Sequence, residues 1–410
     1  MFISVRAQGL SPLTPDRKDT AIMTQRALIV GLGIAGMASA MSLKKAGWEP
    51  VIVERAPERR TGGYFIGLQD AGKHAAERLG VLPGIHIRTP EASPNWHMTK
   101  DGGRVRVAGF ADQPTRPATL LRGDIEEGLW NGVDGQVEIR FGTSPVAIVE
   151  RADGVDVTLD TKDGSSTIER FDLVIGADGL RSTVRKLVFG PQEKFMQSLD
   201  AVICAYQLED QMETFRQRDG VILNQDKRSL WVFPLQDHTP TAFFAYRTKD
   251  VDAQFERPAV ETLRDVFADM EPHSIVEEAL EDLSNAPDYL FDSVHTVEMD
   301  RWHKGRVVLV GDSAWCLTLF SGMGATAGLM GGQQLGEALA AQNGNVPAAL
   351  KSWEAGLRPY IEKQRKTVWL KSQMFVPSNR FFFVLRRLVL RFGGRYLAKL
   401  SAVHQSPVNK

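Results

Sequence analysis

Leu28-Ile29-Val30-Gly31-Leu32-Gly33-Ile34-Ala35-Gly36 is an apolar strand that breaks at a glycine and, with two more glycines, opens into helix-forming sequence. Each glycine answers a physical need. The first permits a tight turn, the second lets backbone approach a pyrophosphate, and the third lets helix pack closely on strand. The unpaired N–H groups of such a helix start attract phosphate. A second apolar strand, Pro50-Val51-Ile52-Val53, ends at Glu54, about 20 residues on, where a carboxylate can accept a hydrogen bond from a ribose hydroxyl. A glycine-rich turn of some other α/β domain would explain the glycines alone. It would not explain strand, helix and acidic residue together.

The surrounding chain reads as an ordinary enzyme-sized protein. Its 410 residues are long for one core, so two domains are expected. The apolar fraction is 43% and the charged fraction 24%, both typical of globular proteins. A net charge of −1 gives no reason to expect nucleic acid as a partner. Cys204 and Cys316, far apart in sequence, suggest neither a disulfide framework nor a thiolate metal site, and a reducing cytoplasm fits best. Residues 1–23 lack the pattern of a secretory signal and read as a flexible leader. No run of 18 apolar residues predicts a spanning helix.

Further along, a helix is expected over Gln69–Leu79 and a hairpin from Trp96–Met98 to Val105–Val107, turning at Asp101-Gly102-Gly103. Alternating strands around 137–141, 146–149 and 155–159 predict a β-meander, and Phe171–Ile175 a buried strand returning to the parallel sheet. Residues 192–294 form a second strand-rich region before the buried strand Arg306–Val310. This gives an α/β protein with a β-rich insertion.

Two more glycine and aspartate clusters directly follow buried strands: Gly176-Ala177-Asp178-Gly179-Leu180-Arg181-Ser182-Thr183-Val184-Arg185 and Gly311-Asp312-Ser313-Ala314. Ligands of open α/β sheets bind outside the carboxyl ends of strands, so three such loops suggest one extended cofactor. In this order, over residues 24 to about 370, the motifs resemble the class A flavoprotein monooxygenases, the para-hydroxybenzoate-hydroxylase-like group.

That resemblance implies a Rossmann-like FAD-binding domain of the glutathione reductase type (24–80, 114–191 and 295–375), a β-sheet-rich substrate domain (81–113 and 192–294) and a C-terminal helix and tail (376–410). It implies that Gly31, Gly33, Ala35 and Gly36 hold the pyrophosphate of FAD and that Glu54 and Arg55 hold the adenosine end. Arg122 would reach the cofactor from a helix start, although an ion pair with Asp124 or Glu126 is a plainer reading. Asp178 would serve FAD and nicotinamide, or cap the helix after Ser182. Asp312 would contact the ribityl region. The loop through Gly322, Gly324, Ala325 and Thr326 would present N–H groups to the reduced ring. Trp315 stands where the family usually has His, Thr318 and Leu319 where it has Pro, Thr326 where it has Asn, and Gly331 where it has Asp. These departures put flavin electronics and substrate contacts in question, not FAD binding.

The implied reaction uses NADPH or NADH to reduce FAD and O₂ to form a flavin hydroperoxide that oxygenates an aromatic or polycyclic small molecule. The flavin does the chemistry, so no catalytic triad, catalytic side chain or metal site is expected. His97, His238, His295 and His303 read as strand or surface residues. Trp96, Trp231, Phe233, Phe243, Phe320 and Met323 are candidates for the substrate wall. A halogenase would show a Trp-x-Trp motif, which is absent. A flavin-binding protein or oxidase that no longer oxygenates is the other alternative. Monomer and homodimer both remain open.

In the tail, Phe381, Leu385, Leu388 and Phe392 recur at helical spacing, with Arg387, Arg391, Arg395 and Lys399 as a basic stripe and a break expected at Gly393-Gly394. The seven basic residues from Val376 to Lys410 meet no Asp or Glu, so the tail's +7 leaves −8 for the rest of a chain whose net charge is −1. A terminal helix after a two-domain body is similar to that of the tetracycline-inactivating flavin monooxygenases, which places the chain with the tetracycline-inactivating and aromatic polyketide hydroxylase subgroup, and this resemblance implies a helix that braces the two domains. Attachment to a membrane surface is the rival reading.

Overall fold

The computed structural model describes residues 24–392, apart from 61, 92, 108, 111–115, 213, 214 and 217. The leader 1–23 and the basic positions Arg395, Lys399 and Lys410 lie outside the described residues. Ten helices are present among these: α1 (Ile34–Lys45), α2 (Asp70–Leu79), α3 (Arg122–Val133), α4 (Thr183–Val188), α5 (Ala259–Phe267), α6 (His273–Asn285), α7 (Asp312–Trp315), α8 (Gly324–Ala341), α9 (Val346–Phe375) and α10 (Arg380–Phe392).

The strand Arg26–Val30 lies inside a six-stranded sheet. It runs parallel to Glu49–Val53 on one side and Leu173–Gly176 on the other. Leu173–Gly176 in turn pairs in parallel with Val307–Leu309. The three strands that precede the glycine loops are therefore neighbours, and their carboxyl ends share one rim. Continuous apolar runs suit these strands because helices cover the sheet and leave Ala27, Leu28, Ile29, Val51, Ile52, Val174 and Val308 without exposure. Helices α1 and α8 pack against each other over that sheet.

A seven-stranded sheet forms the second layer, ordered Leu290–Val297, Met196–Gln207, Thr241–Arg247, Arg228–Phe233, Gly220–Gln225, Asn95–Met98 and Arg104–Val107. Side chains alternate across it with period two. Val202, Cys204, Leu230 and Phe244 bury against Leu263 and Phe267 of α5 and Ile275 and Leu280 of α6. On the opposite face, Ile203, Ala205, Phe233, Phe243 and Ala245 pack with Phe320 and Val376.

Several expected elements differ from those observed. Glu138–Arg140 is no part of the meander; it pairs in parallel with Glu49–Val53 because α3 returns the chain to the edge of the first sheet. The meander is Thr143–Glu150, Val155–Thr161 and Ser166–Phe171. Alternation alone does not reveal a strand's neighbour. Helix α8 begins at Gly324, so Gly324, Ala325 and Thr326 of the expected loop form its first turn. The tail helix is described as far as Phe392, and the break expected at Gly393-Gly394 lies outside the described residues; its Phe381, Leu385 and Leu388 are exposed instead of packed.

Candidate functional site

One cavity of about 1840 Å³ opens where the three glycine loops meet the second sheet. That exceeds the roughly 300–1,000 Å³ of a pocket for one small molecule. A cofactor and a substrate together suit such a volume.

Gly31, Gly33 and Ala35 line one end of it. Gly33 begins α1 with no side-chain cap, so the first N–H groups of that helix have no capping side chain and face the cavity. A Cβ on Gly33 would meet nothing within 4 Å, whereas one on Gly36 would sit 2.0 Å from the Gly31 carbonyl oxygen. Gly33 thus leaves room for a ligand, and Gly36 lets the helix touch the turn; Gly36 itself is not in the lining. Glu54 is held open towards the cavity, its Oε2 accepting from Leu32 N at 3.0 Å and its Oε1 from Ala56 N at 2.9 Å. Arg55 lines the wall beside it.

The second and third loops are stitched together. Asp178 accepts from Ser182 Oγ at 2.6 Å and from Val184 N at 3.1 Å, so it supports the first turn of α4, whose cap is Ser182, while also lining the cavity. Arg185, fully buried, donates to the Ser313 carbonyl at 2.8 Å. Asp312 lines the cavity beside it, and burial pushes its carboxyl above the usual carboxylate range, against the pull of the Arg122 guanidinium. Arg122 lines the cavity and also pairs with Glu126 at 2.7 Å, so the plain ion pair and the cavity position coexist. Helix α8 likewise starts without a side-chain cap, and Gly322, Gly324 and Ala325 line the same space. Two uncapped helix starts converging with Arg55 and Arg122 are the donor set a diphosphate and an electron-rich ring require. These residues fit FAD.

Thr326 does not belong to that lining. It is fully buried, and its Oγ1 accepts from Gln69 N at 3.1 Å, fixing the start of α2. Two departures from the family pattern also resolve as packing. The Trp315 ring is buried against Trp302, with centroids 4.5 Å apart, and a Cβ at position 331 would lie 2.8 Å from its Cζ2. A bulky ring at 315 therefore demands glycine at 331, and neither residue lines the cavity. Thr318 and Leu319 do, and Thr318 adopts a φ of 62°, a left-handed backbone strained for a β-branched residue.

At the other end Trp231, Phe233, Phe243, Phe320 and Met323 line the wall. Trp96 does not. Paired with Val221, it points to the α5–α6 side, and Arg104 lies over its ring at 4.9 Å. Strand parity instead turns His97 to the cavity side of the sheet, opposite Ile222 and in line with Trp231. Sequence reading also missed α9, whose Thr367, Lys371, Met374 and Phe375 reach the cavity. Their spacing of three and four residues is the signal that marks one helix face. Lys371 donates to the Ser321 carbonyl at 2.9 Å, and burial lowers its ammonium pKa.

Residues 24–364 match the FAD binding domain family. The chain belongs to that family. A flavin-dependent monooxygenase of Legionella longbeachae is 28% identical over 363 residues, covering 86% of this chain and 90% of the relative. Among solved structures, the tetracycline destructase Tet(51) superposes with a TM-score of 0.73 at 25% identity, covering 95% of this chain and all of that one. Klebsiella pneumoniae HpxO, complexed with FAD and uric acid, shares the fold with a TM-score of 0.73 at 21% identity, covering 94% and 98% of the two chains. This family member is an FAD-dependent monooxygenase. The relatives do not favour the halogenase alternative.

Proposed function

We propose that this monooxygenase hydroxylates an aromatic or polycyclic small molecule, drawing electrons from NADPH or NADH and oxygen from O₂. The aromatic wall opposite the glycine loops carries this reading. Trp231 and Phe233 stack at 5.8 Å, Phe65 stacks on Phe233 at 4.3 Å, and Phe375 tilts against Trp231 at 4.9 Å. A flat apolar ligand gains contact area there that a sugar or an amino acid would not.

When bound, FAD supplies the redox and oxygen-activating chemistry. The chain's own residues bind, orient and shield. In this reading Gly31, Gly33 and Ala35 receive the diphosphate, with Gly36 shaping the turn. Glu54 and Arg55 hold the adenosine, Arg122, Asp178 and Asp312 the middle of the cofactor, and Gly322, Gly324 and Ala325 its ring. Lys371, tied to the Ser321 carbonyl, brings positive charge to that ring loop from α9. Phe243, Phe320 and Phe375 exclude water from the reacting end. The division proposed for the work is 24–80, 114–191 and 295–375 for the cofactor and 81–113 with 192–294 for the substrate.

The test is NADPH and NADH oxidation with a panel of phenols and polycyclic compounds, scoring oxygenated product and hydrogen peroxide together. A substrate that accelerates oxidation and yields product in place of peroxide is expected. Peroxide in full yield with every compound would overturn the proposal in favour of an oxidase.

A further inference from the structure

Helix α10 is inside out. Phe381 is 70% exposed, Val384 49%, Leu385 42% and Leu388 50%, a spacing of i, i+3, i+4 and i+7 that forms one stripe facing solvent. The buried side carries a charge. Arg386 is 3% exposed; its Nε donates to the Met374 carbonyl, and its guanidinium lies 5.4 Å from the Trp231 ring centroid. Those bonds fix the rotation of the helix, so the stripe cannot turn inward without dragging Arg386 out. The patch continues onto α9, where Trp369 is 53% and Leu370 60% exposed and Trp369 meets Phe382 edge-on at 5.2 Å. Contiguous exposed apolar surface of this kind marks an interaction site.

We infer that this face of α9 and α10 docks on an anionic membrane surface and admits a lipophilic substrate to the cavity from the bilayer. Charge selects the occupant. From Val376 onward the sequence holds seven basic residues and no acidic one, and Arg380 and Arg387 are exposed beside the stripe. Basic residues flanking an apolar face bearing Phe, Leu and Trp are what an interfacial helix needs against anionic lipid. A second copy would bring the same positive rim against itself, which repels. No helix among the described residues is long and apolar enough to cross a membrane, so the contact lies on the surface. Leu370 joins the patch to the interior, being exposed and also lining the cavity mouth. A hydrophobic molecule can pass from acyl chains to the aromatic wall without entering bulk water.

The delivery half of this inference rests on the proposed hydroxylation and the docking half does not: docking is read as vesicle binding, and delivery as oxygenation of a vesicle-dissolved polycyclic phenol, which the Phe381→Ser, Leu388→Ser chain should lose while still oxidising a water-soluble phenol. The full chain would be floated with vesicles of pure phosphatidylcholine and with vesicles of phosphatidylcholine and phosphatidylglycerol in equal parts. Binding to the anionic vesicles, weakened by salt as surface electrostatics require, is expected. The pair Phe381→Ser and Leu388→Ser should reduce that binding at least about tenfold, since removing two exposed apolar anchors sacrifices their burial in the interface. Flavin absorbance and oxidation supported by a water-soluble phenol should stay unchanged, because neither residue lines the cavity. Arg380→Gln with Arg387→Gln should weaken binding to anionic vesicles by about fivefold per charge and leave binding to neutral vesicles as it was. Failure of the full chain to bind anionic vesicles overturns the inference, and so does binding indifferent to both pairs. A dimer in free solution that the Phe381→Ser, Leu388→Ser chain loses would assign the face to a second copy instead. Vesicle binding without any oxygenated product would count against the hydroxylase reading alone.

Discussion

Gly33 and Gly36 belong to one fingerprint, yet their surroundings predict opposite failures. A side chain at 33 enters open space, so Gly33→Val should fold normally while its branched carbons occupy the position a diphosphate needs. The expected result is a protein with native circular dichroism and no flavin absorbance; a yellow, fully loaded Gly33→Val protein would contradict the cofactor assignment. Gly36→Val drives Cβ against the Gly31 carbonyl and should fail to fold. The same reasoning applies at 331. Gly331→Ala should lower stability by about 1–3 kcal/mol through overpacking, and Trp315→Ala in the same chain should relieve that strain, a non-additivity read by a denaturation double-mutant cycle. The pairing of Trp315 with Gly331 was invisible as a pair in the sequence, because 16 positions separate two residues that only the α7–α8 packing brings together.

The end of α9 is held by arginines from two directions. Arg247 donates to the Val376 carbonyl at 2.9 Å and to Ser372 Oγ at 2.9 Å, while Arg386 reaches the Met374 carbonyl from α10. Positive charge at the carboxyl end of a 30-residue helix meets both its unpaired carbonyls and its dipole. Arg386→Met should therefore cost about 1–3 kcal/mol by leaving the Met374 carbonyl without its donor, and should free α10 as seen in faster amide exchange. The same arginine bears on His97. Burial, with Arg386 and Arg387 beside it, lowers the His97 pKa from 6.5 to about 4. The unfolded chain therefore takes up this proton first. His97's contribution is complete above about pH 6.5 and declines as pH falls towards 4, by at most about 3 kcal/mol. Stability measured across that window should flatten in His97→Gln, and the His97 pKa followed by NMR should rise in Arg386→Met. Helical periodicity located α10, but the sign of its exposed face could not be read from periodicity, since a stripe is the same stripe whether it faces protein or solvent.

The proposed cofactor and substrate spaces share a single chamber with walls from both sheets: Gly31 and Asp312 follow strands of the first, and Ile203, Trp231 and Phe243 lie on the second. A ligand spanning it binds the folded assembly and not the unfolded chain. Stripping FAD should lower the melting temperature, and restoring it at about 100 times its dissociation constant should return roughly 2.7 kcal/mol; a melting point indifferent to FAD would argue that the cofactor does not bridge the layers. The parallel core, the glycine loops and the order of the cofactor motifs were legible along the chain because each depends on contiguous residues: a strand, its turn and the helix after it. Trp96 against His97, the placement of Glu138–Arg140, the inward turn of Thr326 and the buried Arg386 were not. Each depends on which neighbour a strand or helix face meets, and that is set by packing between segments far apart in sequence, such as Val51 beside Glu138 and Gln69 beside Thr326, where local propensity carries no information.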